Sequence, residues 1–182
     1  MFHDARSRKV VFVSHCFLNQ NSISDGTADF PAANLPVVSL LLEYNVGIVQ
    51  MPCPELLCLG LDRGDVHGGE RPVIVENTRI RAALQAQTPA KKLQQLAEQV
   101  VYQIEEYRKN GFAIVGVIGI NRSPSCGVET TSDHGEEVAG QGLFFAALKQ
   151  ELDARGISLP MIGIKANEPE RAVEAVSRLL GE

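Results

Sequence analysis

The sequence predicts a three-layer α/β fold: a mainly parallel sheet of about four to five strands with helices on both faces. Three observations predict it. Its short apolar runs are continuous rather than alternating, as strands buried on both faces require. Segments of helical period separate those runs, so strands and helices alternate along the chain. The composition, 45% hydrophobic and 21% charged over 182 residues, is that of one globular domain long enough to bury a proper core.

The first strand is read at residues 9–14 (KVVFVS), directly after a polar amino-terminal stretch. Residues 36–44 follow as a short helix, apolar nearly all round and so expected to be buried. The second strand falls at 46–51 (VGIVQM). The connection from Cys53 to Thr88 is long and holds Gly60, Gly64, Gly68 and Gly69. Within a single domain spanning 1–182, residues 60–87 are therefore expected to form a lid or binding-loop region. The clearest helix is 89–109, with Thr88 as N-cap, Pro89 in the first position and Gly111 past the end. Its Leu93, Leu96, Ala97, Val100, Val101, Ile104 and Tyr107 keep a helical period. The third strand is 112–120 (FAIVGVIGI), followed by a helix at 142–155 that Gly156 stops. A fourth strand at 160–165 (PMIGIK) leads to a last helix at 169–180, with Ala172, Val173, Val176, Leu179 and Leu180 on one stripe. This order suits a doubly wound, Rossmann-like sheet with right-handed crossovers.

Charge and patterning narrow the function. The net charge is −5 and no cluster of Lys and Arg stands out, so a DNA partner is not expected and a small-molecule substrate is preferred. A tRNA substrate is the less favoured alternative. No apolar run approaches the ~20 residues of a membrane span, and the amino terminus has no signal-peptide core. A cytoplasmic protein is expected; its assembly state is left open, homodimer included. In that compartment the four cysteines read as thiols, metal ligands or nucleophiles rather than disulfides.

Ligands of open α/β sheets bind beyond the carboxyl ends of the strands. Three cysteines fall there: Cys16 in Ser14-His15-Cys16-Phe17, Cys53 in Met51-Pro52-Cys53-Pro54-Glu55, and Cys126 in Ser123-Pro124-Ser125-Cys126-Gly127. Parallel strands bring all three thiols to one edge. Free cysteines are often merely buried, but Pro on both sides of Cys53, and Pro124 and Gly127 around Cys126, make rigid turns that aim a side chain. Cys58, inside an apolar stretch, reads as core. Three thiolates with His15 nearby suit a zinc site. They equally suit a 4Fe-4S cluster with one iron lacking a protein ligand; composition does not separate the two.

The ordered set of SHC, CPE, a Gly-x-x-Arg…Glu loop, SPSCG and a late GxG opening a helix resembles the 2-thiouracil desulfurase family. Here these are Cys16, Cys53-Pro54-Glu55, Gly60 to Glu70 with Arg63 inside, Ser123 to Gly127, and Gly140-Gln141-Gly142. SPSCG and CPE in this order are the specific part; the GxG alone is weak. The resemblance implies a 4Fe-4S cluster on Cys16, Cys53 and Cys126 whose fourth iron binds the thiocarbonyl sulfur of a thiolated nucleobase, C=S being replaced by C=O without net redox. Such a cluster would be lost in air.

Within that reading Glu55 is the general base and later acid, and Ser123 the catalytic helper. The alternative for Glu55 is a charge favouring the following helix dipole. Ser125 is expected to donate to substrate or cluster. Phe17-Leu18-Asn19-Gln20-Asn21 departs from the family's Leu-Leu-Gly, and residues 128–138 are unlike its short loop, which points to a divergent branch. Asn19 then reads either a base edge or forms an Asx turn. Asp25 is a turn residue by default and a substrate contact otherwise. Arg63 binds an anion or pairs with Glu70 to close the lid. His67 and His134 read as solvated, with proton shuttling as the alternative.

Overall fold

Along Lys9–Val13 (β1), successive side chains turn to opposite sides, as the strand period dictates. Val10 and Phe12 enter one core while Val11 and Val13 enter another. Helices therefore cover both faces of the sheet, and the fold is the expected three-layer α/β architecture. The computed structural model describes residues 2–181. Its sheet places Gly47–Gln50 (β2), β1, Ala113–Ile120 (β3) and Met161–Ile164 side by side in that order, every pair parallel. Thr130–Asp133 (β4) and Glu136–Ala139 (β5) form a separate antiparallel hairpin, so Met161–Ile164 is β6.

One core lies under Gln87–Lys109 and Leu143–Ala154, the other under Leu35–Glu43 and Pro169–Leu180. With Pro54–Leu59 and Val73–Leu84 included, the helices in chain order are α1 (Leu35–Glu43), α2 (Pro54–Leu59), α3 (Val73–Leu84), α4 (Gln87–Lys109), α5 (Leu143–Ala154) and α6 (Pro169–Leu180). In β3 the pairing jumps from Val10↔Ile114 to Val11↔Gly116, leaving Val115 as an extra residue. This bulge resets the alternation, so Val117 faces the α4–α5 core and Ile118 the α1–α6 core. Gly116 sits at that step, where a Cβ would come 2.9 Å from the Pro160 carbonyl.

Several expectations are corrected. α1 is not buried all round: Val37 and Leu41 face the core while Leu35 and Leu42 are exposed, because a surface helix needs only one apolar stripe. Thr88 does not cap α4, which begins two residues earlier with Ala86 at the cap and no side-chain cap bond. Within 60–87, the span expected to form a lid or binding-loop region, α3 occupies Val73–Leu84. Residues 128–138 form the β4–β5 hairpin, turning through His134 and Gly135, both with positive φ (49° and 77°). Among the described residues no helix is long and apolar enough to cross a membrane.

Candidate active site

A parallel sheet delivers all its carboxyl ends to one edge, and in the order β2-β1-β3-β6 the chain turns opposite ways from β1 to its two neighbours. The crevice at that switch point is a cavity. Its wall includes Cys16, Cys53, Glu55, Arg63, Ser125 and Cys126.

Each cysteine is set by its own element. Cys16 follows β1 in a 3-10 turn, where the Gln20 side chain donates to its carbonyl at 2.8 Å. Cys53 caps α2, its Sγ accepting from the Leu56 amide at 3.4 Å, with Pro54 in the first helical turn. Cys126 is held by a packed loop. Ser123 Oγ accepts from the amides of Ser125 and Cys126 at 3.3 and 3.0 Å. The amides of Phe144 and Phe145 at the start of α5 donate to the Ser125 carbonyl. Gly142 allows this approach, since a Cβ there would lie 2.4 Å from the Ser125 carbonyl carbon. At Gly127 a Cβ would meet the Thr130 carbonyl oxygen at 2.1 Å. The glycines of SPSCG and GxG also meet directly, the Gly142 amide donating to the Gly127 carbonyl at 3.0 Å.

The thiols share an environment. Burial raises Cys16 well above the usual thiol range, and the neighbouring Cys126, Cys53 and Glu55 raise it further. Cys126 is pushed up to about 12 by burial and then by Cys53. Cys53 is raised by burial and by Glu55, against the Leu56 amide and Arg63. These thiols hold their protons at neutral pH and interact with one another, as convergence on one site requires. All four cysteines are free, and Cys58 packs against the α4–α5 core with its Sγ 3.7 Å from the Pro89 carbonyl.

Glu55 is buried to 7% exposure in the first turn of α2. Arg63 Nε donates to its Oε2 at 3.0 Å, as does Ser24 Oγ at 3.1 Å. Ser125 Oγ donates to Oε1 at 2.6 Å and stands 3.3 Å from Ser123 Oγ. Arg63 is 3% exposed, with φ at 56°; it also donates to the carbonyls of Gly60, Leu61 and Ser22, and its Nη2 lies 4.0 Å from Cys53 Sγ. It pairs with Glu55 and not with Glu70, whose partner is His67 at 2.8 Å. The reason is reach: Arg63 turns inward, while Glu70 and His67 are largely exposed.

Of the other sequence-predicted residues, His15 lines the cavity, and burial pulls it below the usual imidazole range. Asn19 caps a 3-10 turn, accepting from the Asn21 amide, and is not part of the cavity wall. Asp25 lies against Gly69 in a second cavity that shares Ser24 and Arg63 with the first. His134 is 93% exposed at the hairpin turn. Sequence reasoning missed Ser24, Asn77, Arg122 and Lys165 on the cavity wall. Lys165 directly follows β6 and Arg122 stands two residues past β3, a signal that was legible; Asn77 stands on a helix that the sequence hid.

No protein-family model matches the chain. An uncharacterized protein of Methanocaldococcus jannaschii is 26% identical over 165 residues, 91% of each chain. Among solved structures, a 4Fe-4S-dependent thiouracil desulfidase matches at 20% identity with a TM-score of 0.45, covering 93% of this chain and 99% of that one. The chain is similar to both across most of its length.

Proposed function

We propose that this protein is a desulfidase that replaces C=S by C=O in a thiolated nucleobase or related thio-compound, through a 4Fe-4S cluster held by Cys16, Cys53 and Cys126. The observation that carries the reading is one cavity walled by three free thiols from three strand ends and by a buried, hydrogen-bonded carboxylate. The donor set fits a three-thiolate cluster. The SPSCG and CPE motifs favour this group over a lone zinc at the same cysteines.

When bound, the cluster supplies a soft Lewis-acid iron that draws electrons from a thiocarbonyl carbon. The chain's own residues manage water and protons. Glu55 takes a proton from the attacking water through Oε1, directly or by way of Ser125 Oγ. Ser123, whose oxygen already accepts two amides, has its hydroxyl proton free to donate towards Ser125 or the substrate. Arg63 fixes the carboxylate and balances its charge. One water is consumed, the C–S bond gives way to C=O, one sulfide leaves, and no electrons are exchanged.

The test is anaerobic reconstitution with iron, sulfide and zinc quantitation, then a sulfide-release assay on 2-thiouracil. Near four irons per chain and sulfide release are expected. Iron below about one atom per chain would sink the cluster.

A further inference from the structure

Asn77 stands on the inward face of α3, 7% exposed, and forms part of the wall of the same cavity. The protein orients its amide. Nδ2 donates to Ser132 Oγ at 3.2 Å and to the Arg122 carbonyl at 3.5 Å, while Ser132 Oγ itself donates to that carbonyl at 2.6 Å. A flipped amide would set oxygen against these two acceptors, so the orientation is determined. Oδ1 therefore faces away from them. Among the described residues nothing donates to it, yet it is not one of the fully buried atoms without a hydrogen bond, which among those residues are Asn34 Nδ2 and Arg81 Nε. An acceptor in this position takes its hydrogen bond from what occupies the cavity.

We propose that Asn77 Oδ1 accepts the ring N–H beside the thiocarbonyl and so sets specificity for unsubstituted cyclic thioamides, a proposal that rests on the desulfidase reading. The chemistry is selective. A cyclic thioamide exists as N–H with C=S or as N=C with S–H. Only the first offers a donor to Asn77, and only the first carries the electrophilic C=S carbon that water attacks. Asn77 thus holds the substrate in its reactive tautomer. It is a binding residue with no part in proton transfer.

Product analogues test this without turnover. The N–H assigned to Asn77 is that of N3, which flanks both carbonyl carbons, so uracil and N3-methyluracil report it whichever carbon bears sulfur. Their dissociation constants are measured by calorimetry on the anaerobically reconstituted protein, with sulfide release from 2-thiouracil followed alongside. The wild-type protein is expected to prefer uracil by about tenfold, the equivalent of one hydrogen bond. Asn77→Leu, close in size but without an acceptor, is expected to weaken uracil by about tenfold. Its affinity for N3-methyluracil should stay within about twofold of the wild type. Were Asn77→Leu not to fold, Asn77→Ala is read against the same ligand pair. No uracil binding by the wild type, no N–H preference in it, or an unchanged preference in Asn77→Leu overturns the assignment. Sulfide release judges the desulfidase reading separately: its absence alongside a preference that Asn77→Leu loses would leave Asn77 standing as a lactam reader and remove the reaction.

Discussion

Glu55 and Arg63 form a buried ion pair, and breaking such a pair from one side is costly because the remaining charge is stranded. Glu55→Gln is expected to lower sulfide release by about 10²–10⁴-fold, the usual contribution of a general base. The same variant should lose about 3–5 kcal/mol of stability when unloaded. The loss is expected to be smaller when loaded, since a ligated Cys53 thiolate, 4.0 Å from Arg63 in this structure, answers the arginine. Thermal melts of both forms check this; equal losses would mean that Arg63 does not sense Cys53. The raised thiol pKa values add a pH effect. Burial keeps Cys126 and Cys16 protonated at neutral pH, so each gives up a proton on ligation. Loading therefore strengthens as pH rises, by up to about tenfold per pH unit for each thiol that releases its proton. Iron titrations near pH 6.5 and pH 8.5 (about two units apart) should show the stronger loading at the higher pH.

At the scale of elements, the four parallel strands were legible to within a residue or two because each is an apolar run whose two faces meet the two cores. α3 was not, because its inward stripe is Glu76, Asn77, Ile80 and Leu84, and two polar residues there disguise the helical period. The hairpin escaped for a similar reason: TTSD and EEVA carry no apolar alternation, leaving only His134-Gly135 as a turn signal. In the site, the convergence of the cysteines followed from strand ends, whereas Ser24 and Asn77 depend on the packing of a loop and of α3 that no local pattern encodes. That packing has its own pH limit. Glu76 receives Arg79 and Arg71, and these hydrogen bonds hold its carboxyl below the usual range. A depressed folded-state pKa contributes stability above the unfolded value, near 4.5, that is lost as pH falls through the folded one. Hydrogen-exchange protection in 60–84, relative to the intrinsic amide rate, is therefore expected to fall below about pH 4.5, before that of β1 and β3 does. Gly142→Ala should cost about 1–3 kcal/mol and lower iron content, since the new methyl meets Ser125 backbone beside Cys126.

Over the whole molecule, the two cores and the cysteine edge are separate structures joined by the sheet. Phe12, Phe144, Phe145, Leu148 and Val101 fill one face and Val11, Val13, Leu41 and Val176 the other, all without help from a bound group. Only Cys126 of the three site thiols counts among the core residues. A chain of this length buries enough apolar surface to fold alone, unlike the small domains that metals hold together. Removing the cluster by chelation is therefore expected to leave the far-ultraviolet circular dichroism of the α/β fold intact. Melting should nonetheless occur at a lower temperature, because a group that binds only the folded chain adds stability by mass action. For a domain of this size each kcal/mol corresponds to about 2–4 °C. The loss should concentrate where the thiols sit: in the turn after β1, at the cap of α2 and in the loop before β4. Hydrogen exchange comparing loaded and unloaded protein resolves this, with protection lost at residues 14–24, 51–63 and 121–130 and kept in β1, β3 and α4. Collapse of the whole spectrum on chelation would show that the group holds the fold itself, and that the division between scaffold and site drawn from the two cores is wrong.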